Sequence, residues 1–162
     1  SSLSVELAED YFGSATTFVA AEIDQITRKA KILSVGDSRA YLIDAQGKWQ
    51  QITQDHSILS ELLADFPDKK EEDFATIYGG VSSCLVADYS EFQDKIFYQE
   101  IEIQQGESLL LCSDGLTDGL SADVREKVWK QYDNDKSRLT VYRKLIEKQR
   151  FYDDLSVIIC AF

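Results

Sequence analysis

Residues 109–120 read LLLCSDGLTDGL, four apolar residues running straight into an acid and a glycine. Leu109 to Cys112 has the length and composition of a buried strand, and Ser113-Asp114-Gly115 is where it stops. Asp-Gly is a common turn, so Asp114 admits two readings: a turn residue, or a carboxylate placed at a strand end for its chemistry. The second pair, Asp118-Gly119, reads as the turn before a helix capped by Ser121.

Working outward, Thr17 to Ile23, Ala30 to Val35 and Ala40 to Ile43 read as strands. Lys48 to Thr53 returns across the turn Asp44-Ala45-Gln46-Gly47 as a hairpin. Lys95 to Ile103 and Leu155 to Phe162 complete the set, and the consecutive apolar residues Val157-Ile158-Ile159 predict a strand covered on both faces. Helical spacing begins at Ser57, with Ile58, Leu59, Leu62 and Leu63 on one face. It recurs after Ser121 with Val124, Val128 and Tyr132, and from Lys136 to Gln149 with Leu139, Tyr142, Leu145 and Ile146 in one stripe. Strands cluster early and late with helices between and near the end, which predicts an α+β layered domain rather than βαβ alternation.

Two further acidic positions share the context of Asp114, the edge of an apolar strand. Asp37 follows Leu33-Ser34-Val35-Gly36, and Asp153-Asp154 precedes Leu155-Ser156-Val157-Ile158. If these strands are neighbours in one sheet, the carboxylates meet at its edge and repel unless a cation or protons intervene. All-oxygen ligands favour a hard ion, Mg²⁺ or Mn²⁺, and paired ions of that kind suit in-line attack of water at phosphorus. Phosphoryl hydrolysis is the reaction this points to. Taken singly, Asp153-Asp154 also fits a helix-to-strand loop, and Asp37 also fits a turn paired with Arg39.

Other chemistries find little support. Cys84, Cys112 and Cys160 show no C-x-x-C spacing, and neither Cys84 nor Cys112 has an arginine six places on; Cys112 and Cys160 end apolar runs and read as buried, reduced core residues in a cytoplasmic protein. The single histidine, His56, leaves a zinc site or a Ser-His-Asp triad unsupported. A calcium loop over Asp114 to Arg125 fails, because Leu116 stands where an oxygen ligand belongs and Arg125 where the bidentate Glu should be. The net charge of −12 argues against nucleic acid, and no stretch approaches the roughly 20 apolar residues of a membrane span. Charge runs such as Asp68 to Asp73 read as a solvated loop or helix face.

In order along the chain stand GSATTFVAAEI (13–23), ILSVGDSRAYLI (32–43), QITQDHSIL (51–59), GESLLLCSDGLTDGLS (106–121) and DDLSVIICAF (153–162). Together they resemble the metal-dependent serine/threonine protein phosphatases of the protein phosphatase 2C class, over nearly the whole chain. The resemblance implies an α-β-β-α sandwich and hydrolysis of phosphoserine or phosphothreonine in proteins by a metal-activated water. It implies Asp114 and Asp153 as ligands of a binuclear Mg²⁺ or Mn²⁺ centre, which holds two or three ions when complete. Asp37 becomes a nearby acid of the same site and a further candidate ligand. His56 falls where the family has a histidine, and reads best as one satisfied within a turn. The implied partners are a phosphorylated protein and a Ser/Thr kinase or its targets.

The family's Glu-Asp and Asp-Gly-x-Gly-Gly motifs belong upstream of GSATTF, and nothing in Ser1 to Phe12 can serve as either; Glu9-Asp10 is a superficial echo that reads as part of a helix leading into the first strand. The expectation is one domain over residues 1–162, equivalent to the C-terminal two-thirds of the family domain, and weak or inactive by itself. The alternative is a non-catalytic regulatory or partner-binding module. Asp65 to Asp94, where relatives carry a mobile flap, matches the family poorly, and IYGGVSSCLVAD (77–88) suits a Gly-hinged loop.

Overall fold

The computed structural model describes residues 14–74, 80–86, 96–150 and 152–162. Alternating small apolar and charged residues build its first sheet. β2 (Phe18–Asp24) pairs antiparallel with β3 (Lys29–Val35) along its full length, and β7 (Phe97–Glu102) pairs with the other edge of β3. Ala30, Ile32 and Ser34 point inward and are fully buried, while Lys29, Lys31 and Leu33 face out. A short bridge joins β1 (Ala15–Thr16) to β6 (Leu85–Val86).

The second sheet takes the order β5 (Trp49–Gln51), β4 (Arg39–Ile43), β8 (Ser108–Cys112), β9 (Val157–Ala161), all antiparallel. Its two central strands divide their side chains between two cores. Ala40 and Leu109, flanked by Leu42 and Leu111, pack against the first sheet with Ile32 and Ile103. Tyr41, Ile43, Leu110 and Cys112 pack on the opposite face against helices. This double burial is why β8 is apolar at every position after Ser108.

Those helices are α2 (Asp114–Gly119), α3 (Ala122–Gln131) and α4 (Asp135–Ile146); α1 (Ile58–Asp65) lies earlier in the chain. Ser57 caps α1 by accepting the Ser60 N–H, and Asn134 caps α4 by accepting that of Ser137. Leu116, Val128, Trp129, Tyr142 and Ile146 fill the helix-side core. Within it Trp49 meets Trp129 edge-on at 5.7 Å, and the Tyr142 hydroxyl donates to the Arg125 carbonyl at 2.8 Å. Two sheets face to face, with helices over one of them, bear out the α+β layered expectation.

Three expectations need correction. Asp118-Gly119 is no turn: it is the last turn of α2, because the chain enters a helix directly at Asp114. Ile158 is 66% exposed, so β9 is covered on one face only; it is an edge strand, and no described strand lies beyond it. The stripe read to Gln149 leaves the helix after Ile146, with Asp135 rather than Lys136 opening it. The helix read at Glu9-Asp10 and much of the loop read over 77–88 lie outside the described residues, while Asp68 to Lys70 are exposed, as a solvated run requires.

The two faces of the second sheet differ enough to test by substitution. Leu110→Ala, at a fully buried position, is expected to cost about 2–5 kcal/mol in urea unfolding. Ile158→Ser should stay within about 0.5 kcal/mol of the parent. Equal costs would refute this placement of the core.

Candidate metal centre at the sheet ends

The site is built where the strands of the second sheet end. β8 and β9 are antiparallel with Cys112 opposite Val157, so the end of one and the beginning of the other lie together. Ser113 then locks the segment before β9 to the start of α2. Its N–H donates to the Ser156 carbonyl at 3.0 Å, its hydroxyl donates to the Asp154 carbonyl at 3.1 Å, and the same oxygen accepts the Ser156 N–H at 3.0 Å. Gly115 makes that approach possible, since a Cβ there would collide with the Asp154 carbonyl oxygen. Asp114 and Asp153 are thereby brought to one edge, as the strand pattern predicts.

Asp37 reaches the same edge by another route. It sits in the turn that carries the chain from β3 in the first sheet to β4 in the second, two residues before Arg39, which pairs with Cys112, so all three acids border the same end of the second sheet. Gly36 has φ +99°, and a Cβ on it would fall 2.5 Å from Thr17 Cγ2. The Thr17 and Ser38 hydroxyls are 2.9 Å apart across that turn. Of the two readings of Asp37, the turn paired with Arg39 is not the one formed. Arg39 Nε donates to both Asp55 oxygens at 3.0 and 2.9 Å, and Gln51 Nε2 adds a further bond to Asp55 at 3.0 Å.

Electrostatics tie the acids into one group. The Asp37 carboxyl is held above the usual carboxylate range by burial and then by the charge of Asp114, with Asp55 adding to the effect. Asp118 is raised in the same way, by burial and by Asp114, with contributions from Asp55 and Asp153; Arg39 opposes the shift. The sequence reading missed Asp55 and Asp118. The signal for Asp118 was its spacing, four residues beyond Asp114 on one helix face once α2 is recognised.

The donors are carboxylate oxygens, the chemistry that suits Mg²⁺ or Mn²⁺. No group of three or more acidic, histidine or cysteine side chains that could hold one ion occurs among the described residues. A pair such as Asp37 and Asp114 still fits a hard ion that is bound by one or two carboxylates and keeps several of its waters. Cysteine chemistry fits poorly, as burial pushes the Cys112 thiol up to about 12.

A family model for protein phosphatase 2C matches residues 6–144. The serine/threonine phosphatase stp of Listeria innocua is 34% identical over 128 residues, covering 79% of this chain and 49% of that protein. The protein phosphatase PhpP of Streptococcus pneumoniae is 32% identical over 121 residues, covering 74% and 47%. Among solved structures, the Mycobacterium tuberculosis serine/threonine phosphatase PstP/Ppp superposes with a TM-score of 0.80 at 24% identity, over 98% of this chain and 66% of that one. The catalytic domain of PstP in complex with 2 manganese ions gives 0.76 at 24% identity, over 98% and 64%. The chain thus spans about half the length of the curated relatives it matches.

A carboxyl whose folded value is raised favours the folded state below its unfolded value, and that benefit is lost as pH rises through the folded one. Asp37→Asn should therefore raise the melting temperature in metal-free buffer at pH 7 and lose that gain toward about pH 4. A lower melting temperature at pH 7 would refute the reading of Asp37 as an uncompensated charge. Gly115→Ala should lower the melting temperature by about 3–10 °C; no change would refute the close packing of α2 on the Asp153-Asp154 segment.

Proposed function

Since the chain belongs to the protein phosphatase 2C family, we propose that it carries part of the centre of a phosphoserine/phosphothreonine protein phosphatase. Asp114 and Asp153 would hold Mg²⁺ or Mn²⁺, with Asp37 as a further ligand of the ion at Asp114. Such an ion, when bound, lowers the pKa of its water and screens charge developing on the phosphoryl oxygens.

The observation that carries this reading is the convergence of Asp37 and Asp114, whose mutual repulsion is left standing while the nearby Arg39 is occupied by Asp55. A partner-binding surface gives no reason to keep such charges together, because repulsion among carboxylates weakens the fold unless a cation or proton offsets it. The chain's own residues do the positioning. β8 and its Ser113 lock set Asp114 against Asp153, and the turn at Gly36 presents Asp37. None of these acids is a covalent nucleophile.

The substrates in this reading are phosphorylated proteins, the targets of a serine/threonine kinase. A cytoplasmic setting agrees with three free cysteines, and no described helix is long and apolar enough to cross a membrane.

Hydrolysis of p-nitrophenyl phosphate and of a phosphothreonine peptide, with and without Mn²⁺, tests the assignment. Turnover is expected to require Mn²⁺. Asp114→Asn and Asp153→Asn should each cost more than the about 100-fold typical of losing an outer-sphere support. Turnover that is absent, or indifferent to Mn²⁺ and to both substitutions, would sink it.

A further inference from the structure

His56 lies outside the acidic group, yet it grips the backbone that carries Asp37. The Gly36 N–H donates to His56 Nδ1 at 3.1 Å, and the His56 N–H donates to the Gly36 carbonyl at 2.9 Å. Both polar groups of one peptide residue are thus satisfied by one other residue. A donor aimed at Nδ1 requires that nitrogen to be unprotonated, so the ring is the neutral tautomer with its proton on Nε2. The grip extends to other segments. The His56 carbonyl accepts the Ser82 N–H at 2.9 Å, and the neighbouring Asp55 holds Arg39, two residues beyond Asp37. Gly36 has no freedom of its own to supply this order, being at φ +99° with Thr17 where a side chain would be.

We propose that His56 is a positioning residue for the metal centre: its Nδ1 fixes the Gly36 peptide and thereby aims the Asp37 carboxylate at the ion shared with Asp114. The proposal rests on the metal reading given above. It assigns His56 no contact with substrate or ion. An outer residue of this kind typically changes metal affinity about 10–100-fold when removed.

The test is Mn²⁺ affinity by calorimetry for the parent, His56→Leu, Asp37→Asn and the double variant, with circular dichroism and melting curves for each. His56→Asn and His56→Gln run alongside. The Asn carbonyl oxygen sits near the place of Nδ1, whereas that of Gln sits near Nε2. His56→Leu is expected to weaken Mn²⁺ binding at least about 10-fold, with no further loss when Asp37 is already Asn, because the two act through one element. His56→Asn should restore affinity to within about 2-fold of the parent, and His56→Gln should not.

Additive losses in the double variant would overturn the proposal, since a general structural role weakens binding whatever stands at position 37. Should His56→Leu fail to fold, the Asn and Gln variants decide it, and equal affinities for those two would overturn it. Nitrogen-15 NMR of the parent should show Nδ1 unprotonated; a proton on Nδ1 would also overturn it. A parent that binds no Mn²⁺, yet shows the expected tautomer, would overturn the metal reading and this inference with it. Parent binding with an additive cycle would overturn this inference alone.

Discussion

β8 is buried on both faces and hydrogen-bonded along both edges, to β4 on one side and β9 on the other. A strand held in that way cannot slide by one residue without turning Leu110 and Cys112 from the helix-side core into the other. The position of its last residue is therefore fixed by the whole sandwich, and Asp114 inherits that precision one residue past Ser113. Asp153 inherits it too. β9 pairs in register with β8, and Ser113 makes three hydrogen bonds to the segment that introduces β9. The apolar run and the acid that follows it are two parts of one device: burial fixes the strand end, and the strand end fixes the charge.

The opposing term is electrostatic. Asp37 and Asp118 are both raised by the charges of Asp114 and Asp55, and the cation beside them, Arg39, is spent on Asp55. Burial works against the charge of that guanidinium, and its hydrogen bonds to Asp55 more than restore it. Asp37, Asp114 and Asp118 remain without a neutralising side chain among these contacts. In a chain already at −12, this arrangement is costly without a cation.

Much of this was legible in the sequence because the strongest signals were local. Leu109 to Cys112 announced a buried strand, and the Ser57 cap was visible as a serine before an apolar stripe. Asp114 and Asp153 could be paired because both flank apolar strands, and antiparallel pairing of those strands puts the two flanks together. The errors arose where tertiary context outweighed local pattern. Val157-Ile158-Ile159 looks buried on both faces, but the strand is at a sheet edge, which composition does not reveal. Asp118-Gly119 has turn chemistry, but α2 starts at once after β8 and carries both residues in its last turn. Pairing with Arg39 was one of two readings of Asp37 because the two are near in sequence, whereas the partner Arg39 takes is sixteen residues away.

Asp37 reaches the site from the turn that crosses between the two sheets. It stands two residues before β4, whose first residue Arg39 lies opposite Cys112 at the end of β8. A crossing turn has no ladder of its own to fix it. It is instead tied by Gly36 against Thr17, by the facing hydroxyls of Thr17 and Ser38, and by the paired bonds to His56. Each tie replaces order that a strand would have supplied. The glycine that looks like a flexible point in the sequence is, in the folded chain, among the most constrained positions beside the site.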